Sequence, residues 1–384
     1  MTALSVALLS YSTKPRGGVV HTLGLAEALA ADGHDVTVWS LGRGGDTGFF
    51  RPVDRRVRVR VVPFPDVPGE DVSARILRSI AALGEAFEGF AASRTYDIVH
   101  AQDCISANAV VRCVRTVHHI DHFTTPELAA CHERAIVRPY AHVCVSAAVA
   151  AELSAGWGIT AAVIGNGVDA ERFAAAAADG HAEDRRRMRA RYGRYVLTVG
   201  GIEPRKGSLE LLEAYALLHR EQPDVRLVVA GGETLFDYRD YRARWEKRAA
   251  DLAAAPIVLG PVGHDELPVL VAAAEVFAFP STKEGFGLAA MEALAAGVPL
   301  VTSDLPVFRE VFGDAARYAT DPPALAALLA TALAETTAPT AEAVARRDAG
   351  RALAARHTWA TAARQHVQLY RSLLDRRQLD RSRR

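Results

Sequence analysis

Two glutamates that bracket a glycine-rich turn are the residues whose type and spacing most directly suggest chemistry. Glu284 and Glu292 stand eight positions apart within the stretch Ser281 to Asp304. A buried-type strand, Val276 to Pro280, runs into Gly285-Phe286-Gly287, and a short helix from Leu288 is stopped by Gly297 ahead of a strand at Leu300 to Ser303. The unpaired amides and positive dipole end of that helix favour an anion, and the glycines let a ligand approach the backbone. An ionised glutamate only accepts hydrogen bonds, which suits vicinal hydroxyls, so the stretch is fitted to hold a phosphate beside a polyol. An ordinary strand, turn and helix with two surface acids is the plainer alternative.

Two further loops carry related features. Gly200-Gly201-Ile202-Glu203-Pro204-Arg205-Lys206-Gly207 follows a strand and precedes a helix at Leu209 to Leu218. Cations in such a loop belong near an anion, where each charge-assisted hydrogen bond contributes about 1.5–3 kcal/mol, although solvated loop residues would read the same way. Near the start, Lys14-Pro15-Arg16-Gly17-Gly18 leads into a helix over Val19 to Ala31 that ends at Gly33. No G-x-G-x-x-G is present, and the nearest imitation, Gly42-Arg43-Gly44-Gly45, has Thr47 where the last glycine belongs, which weighs against a dehydrogenase.

The elements that must position these loops alternate strand and helix. Strands are expected at Val6 to Ser10, Val36 to Leu41, Val57 to Val62, Ile98 to Ala101, Arg115 to Ile120, His142 to Ser146 and Ala162 to Gly165. After Asn166-Gly167-Val168-Asp169 comes an Ala-rich and then Arg-rich segment, read as an inter-domain linker. A second series follows at Tyr195 to Val199, Val225 to Ala230, Ile257 to Leu259, Val276 to Phe279, Leu300 to Ser303 and Arg317 to Ala319. The alternation implies an α/β protein with two Rossmann-like, doubly wound parallel-sheet domains, expected to face each other across a cleft. Their expected limits are 1–172 for the N-terminal domain, 173–193 for the linker and 194–358 for the C-terminal domain. Residues 359–384 are left as a C-terminal helix, whose apolar spacing at Thr361 to Leu374 suits docking on either domain, including a return to the first.

Composition bounds the partners. The 384 residues are 50% apolar and 23% charged, enough for two packed domains, and 45 basic against 45 acidic side chains leave no electrostatic footprint of a general nucleic-acid binder. Arginine clusters at Arg51 to Arg60, Arg185 to Arg194 and Arg376 to Arg384 read as solvated faces, with peripheral contact to anionic lipid as the competing reading for one of them. Helix Ser73 to Phe90 places Ile76, Leu77, Ile80, Leu83 and Phe87 on one face, which reads as core ahead of a lipid surface. Cys104, Cys113, Cys131 and Cys144 form no C-x-x-C, the start lacks the pattern of a signal peptide and no stretch has transmembrane length, so the expected location is cytoplasmic.

Taken in order, the Gly17-Gly18 loop, Asn166-Gly-Val-Asp169, the Pro-Arg-Lys-Gly loop and Glu284-Gly-Phe-Gly with Glu292 resemble a retaining glycosyltransferase of family 4, a group 1 glycosyltransferase with the two-domain GT-B fold. The resemblance covers nearly the whole chain. It implies that Glu292 accepts from the ribose hydroxyls of a nucleotide-diphosphate sugar. Glu284 would lie near the transferred sugar, with Gly285, Phe286, Gly287 and Leu288 lining the donor site by their backbone, and Lys206 would bind the diphosphate. Gly17 and Gly18 match the loop that approaches donor phosphate and acceptor, and His118 matches a histidine near the donor sugar. One departure stands out: the family usually has an arginine where this chain has Gly201, and Arg205 is the candidate substitute.

His118, His119, Asp121 and His122 permit a metal reading by spacing, but no H-E-x-x-H or cysteine pair supports it. With no D-x-D anywhere, Lys206, Arg205 and a helix N-terminus are left to neutralise a leaving diphosphate, so neither a metal nor another cofactor is expected. The resemblance implies transfer of a hexose to an unidentified acceptor hydroxyl with retention at the anomeric carbon. A sugar-nucleotide epimerase or hydrolase, and a catalytically silent nucleotide-sugar-binding protein, are the alternatives on the same scaffold.

Overall fold

The computed structural model describes residues 2–91, 95–121, 126–231 and 238–382. The chain forms two compact units, Met1–Gly167 with Trp359–Arg384, and Val168–Thr358. Each is built by the same rule, a parallel sheet whose alternating side chains feed helices on both faces.

The first unit runs β1 (Ser5–Leu9), α1 (Gly17–Ala31), β2 (Asp35–Arg43), β3 (Arg58–Phe64), α2 (Val72–Ala91), β4 (Ile98–Ala101), α3 (Cys104–Asn108), β5 (Val114–Val117), α4 (Pro126–Val137), β6 (Ala141–Cys144), α5 (Ala147–Trp157) and β7 (Ala162–Val163). Its sheet order is β3-β2-β1-β4-β5-β6-β7. Strand β1 shows how the pleat makes two cores: Val6 and Leu8 pack with Leu23, Val38 and Ile98, whereas Ala7 and Leu9 pack with Trp39, Leu83 and Phe87. Ile76, Leu83 and Phe87 of α2 are buried, so its apolar stripe is core as expected, and only Leu77 turns outward.

The second unit runs α6 (Ala170–Ala177), α7 (Ala182–Tyr192), β8 (Arg194–Val199), α8 (Ser208–Glu221), β9 (Val225–Ala230), α9 (Arg239–Ala250), β10 (Ile257–Gly260), α10 (Leu267–Ala273), β11 (Val276–Phe279), α11 (Leu288–Ala295), β12 (Leu300–Ser303), α12 (Pro306–Phe312), β13 (Ala316–Ala319), α13 (Pro322–Thr337) and α14 (Ala341–Arg356). The sheet order is β10-β9-β8-β11-β12-β13. Val276 and Ala278 face a core with Leu212, Val229 and Leu329, while Phe277 and Phe279 face Phe308 and Phe312.

Residues 173–193, which read as a linker, instead form most of α6, a short 3₁₀ turn and α7 within the second unit. Their exposed arginines give them a polar look, but Phe173, Ala176 and Tyr192 are buried, and α6 and α7 both pack on α10. The second unit accordingly begins at Val168, whose amide donates to the His357 carbonyl at 2.8 Å. The last helix, α15 (Trp359–Ser382), packs on α1 in the first unit, with Trp359 filling the space over Gly24 and Gly167. Among the described residues no single helix is long and apolar enough to cross a membrane.

Candidate active site

In the second unit the sheet reverses its winding between β8 and β11, so the loops leaving those two strands lie side by side at their carboxyl ends, the usual place for a ligand in a doubly wound sheet. Backbone contacts lock the loops together: the Thr282 amide donates to the Arg205 carbonyl at 2.9 Å. Gly207, at φ 63°, passes so close that a Cβ there would lie 2.0 Å from the Pro280 oxygen. Gly200 likewise leaves room for the Lys206 stem, whose Cε would lie 3.3 Å from a Cβ at that glycine.

Lys206 is thereby laid over the Phe279 ring, with Nζ 5.1 Å from its centroid, and donates to Glu284 Oε1. Arg205 Nη1 donates to the same oxygen at 3.0 Å while Nη2 donates to Glu203 Oε1 at 2.8 Å. Ser281, fully buried, adds a long hydrogen bond of 3.4 Å to that Glu284 oxygen. Lys206, Arg205 and Glu284, chosen from separate stretches of sequence, are brought into one cluster. The alternative of solvated loop cations does not hold, because the Arg205 and Lys206 side chains are 26% and 19% exposed.

The turn after β11 presents its backbone. Phe286 is buried with its ring 5.6 Å from that of His357, Gly285 is buried, and Gly287 adopts φ 96° where a Cβ would meet Phe312 at 2.8 Å. Gly287, which precedes α11, has no side chain to cap the helix, and this suits the first-turn amides, Leu288 included, to an external acceptor. Glu292, in the second turn, has different company from Glu284. Burial pushes its carboxyl up to about 8, the Asp169 charge pushes the same way and Arg172 opposes both. The sequence reads Glu292 as an ionised acceptor, whereas its partly buried position favours the protonated form.

In the first unit Arg16 precedes α1, again with no side-chain cap, and Gly17 and Gly18 form the opening of the helix. His118 lies against Gly18, where a Cβ would be 3.7 Å from its Nε2 and Cδ2. That Nε2 is buried and has no hydrogen-bond partner among the described residues. Burial first, then the charges of His119 and Arg115, press His118 down to about 3, so it is a neutral imidazole at working pH. Its ring meets that of His21 edge-on at 4.8 Å, and His21 Nδ1 pairs with Asn166 Oδ1 at 2.8 Å. His119 pairs with Asp121 at 3.2 Å, His122 lies outside the described residues, and no three His, Cys, Asp or Glu side chains among the described residues are grouped to hold a metal ion.

Sequence reasoning missed Glu203, Ser281, Arg172 and His21. Glu203 lies in the Arg205-Lys206 loop and Ser281 three residues before Glu284, close enough in sequence to have been suspected. Arg172 and His21 reach their partners only through the fold.

Comparison with known proteins follows the same division of the chain. Residues 182–349 match the family described as "Glycosyl transferases group 1", and residues 15–172 match "Glycosyltransferase Family 4". The chain is 29% identical over 328 residues to a phosphatidyl-myo-inositol mannosyltransferase of Mycolicibacterium smegmatis, covering 79% of this chain and 77% of that one. It is also 29% identical to a glycogen synthase of Mycobacterium tuberculosis over 318 residues, 74% and 73% of the two chains. Among solved structures, Anabaena Alr3699/HepE in complex with UDP-glucose aligns with a TM-score of 0.76 at 20% identity, over 96% of this chain and 100% of that one.

Proposed function

The chain belongs to the group 1 glycosyltransferases, of the family 4 type and with the GT-B fold, and from that premise we propose that it moves a hexose from a nucleotide-diphosphate sugar to an acceptor hydroxyl with retention, without a metal ion. Glycosyl transfer from a nucleotide-sugar donor is supported by the relatives, and the finer parts of this reading rest on the site. The observation that carries it is the meeting of Lys206, Arg205 and Glu284 beside the uncapped start of α11, at the switch point of the second unit.

In this reading the second unit holds the donor. Lys206, Arg205 and the α11 amides take the diphosphate, Glu292 takes the ribose and Glu284 lies toward the sugar. The bond from the anomeric carbon to the phosphate oxygen breaks through an oxocarbenium-like state. The acceptor oxygen bonds to that carbon from the same face, and its proton passes to the departing diphosphate, so no side chain serves as a covalent nucleophile. The protein's contribution is to position the reactants and stabilise the leaving charge. His118, neutral and with an open Nε2, is suited to a hydrogen bond with a sugar hydroxyl. The Mycolicibacterium relative is named a mannosyltransferase and the Anabaena structure holds UDP-glucose, which supports a hexose. Four free thiols suit a reducing compartment, and we place the protein in the cytoplasm.

The test is product analysis by proton NMR with and without EDTA. Matching anomeric configuration in donor and product, formed at equal rate in both buffers, is expected. An inverted product would refute retention, and a rate abolished by EDTA and restored by a divalent cation would refute metal independence.

A further inference from the structure

His21, His100, His118 and His366 are buried as one group in the first unit, and the proposed mechanism uses His118 alone. His21, in the first turn of α1, lies at the centre. Its ring centroid is 4.8 Å from that of His118, 5.5 Å from Trp359 and 6.2 Å from His366, and His366 is in turn 5.6 Å from His100. His100 is held at both nitrogens, Nδ1 by the Tyr370 hydroxyl at 2.6 Å and Nε2 by the Thr116 hydroxyl at 2.8 Å. The other two inner rings are held at one nitrogen each. His21 Nδ1 meets Asn166 Oδ1 and His366 Nδ1 meets the Ala362 carbonyl, both at 2.8 Å. A carbonyl oxygen only accepts, so in both rings the proton is on Nδ1 and Nε2 carries a lone pair. Both of those Nε2 atoms are buried with no hydrogen-bond partner among the described residues.

Burial foremost presses His21 and His100 well below the ordinary histidine range, His366 to about 4 and His118 to about 3. Besides burial, the rings act on one another, His119 and Arg115 add positive charge at His118, and Asn166 and the Ala362 carbonyl oppose the shift as neutral acceptors. The titratable groups facing this core are thus His21 from α1, His100 from β4, Arg115, His118 and His119 from β5 and the turn after it, and His366 and Tyr370 from α15. No acid is among them. A proton on His21 would therefore find two neighbouring imidazoles and no counter-charge.

Simple packing does not call for an imidazole at His21. A phenylalanine would fill the same space without burying a nitrogen that lacks a partner. What the imidazole adds is a fixed orientation beside His118. The His118 ring is wedged between His21 and Gly18, where a Cβ would come within 3.7 Å of Nε2 and Cδ2. Gly18 and His21 are three positions apart on α1 and so share a face. The bond to Asn166 fixes the rotation of His21, and Trp359 at the start of α15 closes over both ends of that pair. A Cβ at Gly24, one turn after His21, would lie 2.3 Å from the Trp359 ring, and a Cβ at Gly167, next to Asn166, would lie 2.4 Å from its amide nitrogen.

We propose that His21, locked by Asn166, is a positioning residue that holds the His118 ring in the orientation whose Nε2 meets a sugar hydroxyl. The inference rests on the transferase reading and names a residue that acts only through His118, since His21 is itself fully buried.

Two measurements on the full chain test it. Long-range proton–nitrogen NMR spectra of the wild type read the ring nitrogens directly. His21 should be the Nδ1–H form at pH 7 and should not titrate down to pH 5. An Nε2–H form, or a midpoint near the ordinary value of about 6.5, overturns the proposal without any variant. The second measurement is acceptor-free release of nucleoside diphosphate from UDP-glucose, UDP-N-acetylglucosamine and GDP-mannose. Water bonds to the anomeric carbon, the bond to the phosphate oxygen breaks and the proton passes to the diphosphate. His21→Asn keeps a donor for Asn166 and removes the ring from His118. Its kcat should fall at least about tenfold, roughly 1.4 kcal/mol of barrier, with KM and the Kd for the nucleoside diphosphate changed far less, and its His118 should titrate above about 3. His21→Phe, which restores a ring against His118, should recover part of the rate, and thermal melts check that both variants fold. A folded His21→Asn with wild-type kcat, or a loss confined to KM, overturns the proposal, and if neither variant folds the wild-type spectra decide. A wild type that binds and cleaves none of the three sugar nucleotides contradicts the transferase reading and takes the role of His21 with it, whereas a slow His21→Asn beside an active wild type bears on His21 alone.

Discussion

Lys206 and Glu284 are hydrogen-bonded to each other, on the carboxylate oxygen that also receives Arg205 at 3.0 Å. With Glu203 on the other side of Arg205, two cations face two acids in this cluster. On the proposed reading a diphosphate would compete with Glu284 for Lys206 and so tie the position of Glu284 to the arrival of the donor.

Glu284→Gln weakens the hold on Lys206 while keeping the shape of the side chain. Affinity for a nucleoside diphosphate should stay the same or tighten in this variant, while kcat falls at least tenfold, about 1.4 kcal/mol of barrier. Titration calorimetry and initial rates measure the two effects separately. A parallel loss of both would place Glu284 in simple binding.

Lys206→Ala should lower kcat by roughly 10²–10³, about 2.7–4 kcal/mol, the scale for removing one preorganised charge stabiliser. The loss in donor affinity should be smaller, because leaving charge grows in the transition state. Near-normal turnover in a folded variant would remove Lys206 from the mechanism.

If Glu292 takes the ribose of the donor, donor binding depends on pH. Its carboxyl, raised to about 8 by burial, holds a proton in the folded protein that an unfolded chain releases above the ordinary glutamate range near 4.5. The contribution to stability is therefore full below about 4.5 and is lost as pH rises toward and through 8. Glu292→Gln, permanently neutral, should melt like wild type at pH 4.5 and relatively higher at pH 8.5. If the ionised carboxylate is the form that takes the ribose hydroxyls, donor affinity in wild type rises between pH 6.5 and 8.5 and a proton is released on binding. Calorimetry in buffers of different ionisation enthalpy reads that proton, and Glu292→Gln should show neither effect. A flat pH dependence in wild type would contradict the assignment.

Gly207→Ala should destabilise the second unit by at least about 1–3 kcal/mol, since the residue sits at φ 63° and its Cβ would strike the Pro280 oxygen. Because that approach joins the Arg205-Lys206 loop to the Glu284 loop, donor affinity should fall along with the melting temperature. Unchanged melting would show that the two loops are not packed as described.

Alternation of short apolar strands with helical patterns was enough to read both sheets, because buried parallel strands such as Val276 to Phe279 are continuous apolar runs. The helices over 173–193 were not legible as part of a domain. A few buried residues, Phe173 and Tyr192 among them, anchor segments whose exposed arginines dominate the composition. Within the site, Lys206, Arg205 and Glu284 were legible as charged residues in glycine loops, but their meeting on one oxygen depends on the β8-β11 pairing. The upward push on the Glu292 carboxyl depends on surroundings that include Asp169 and Arg172, which no local pattern announces.

The central claim is that the second unit holds a nucleotide-diphosphate sugar on Lys206, Arg205 and the start of α11, and a thermal-shift screen of sugar nucleotides tests it most directly. At 100 times its Kd, the correct donor should add about 2.7 kcal/mol to folding stability, and the shift should shrink in Lys206→Ala. Stabilisation by no sugar nucleotide, or an equal shift in Lys206→Ala, would contradict the account.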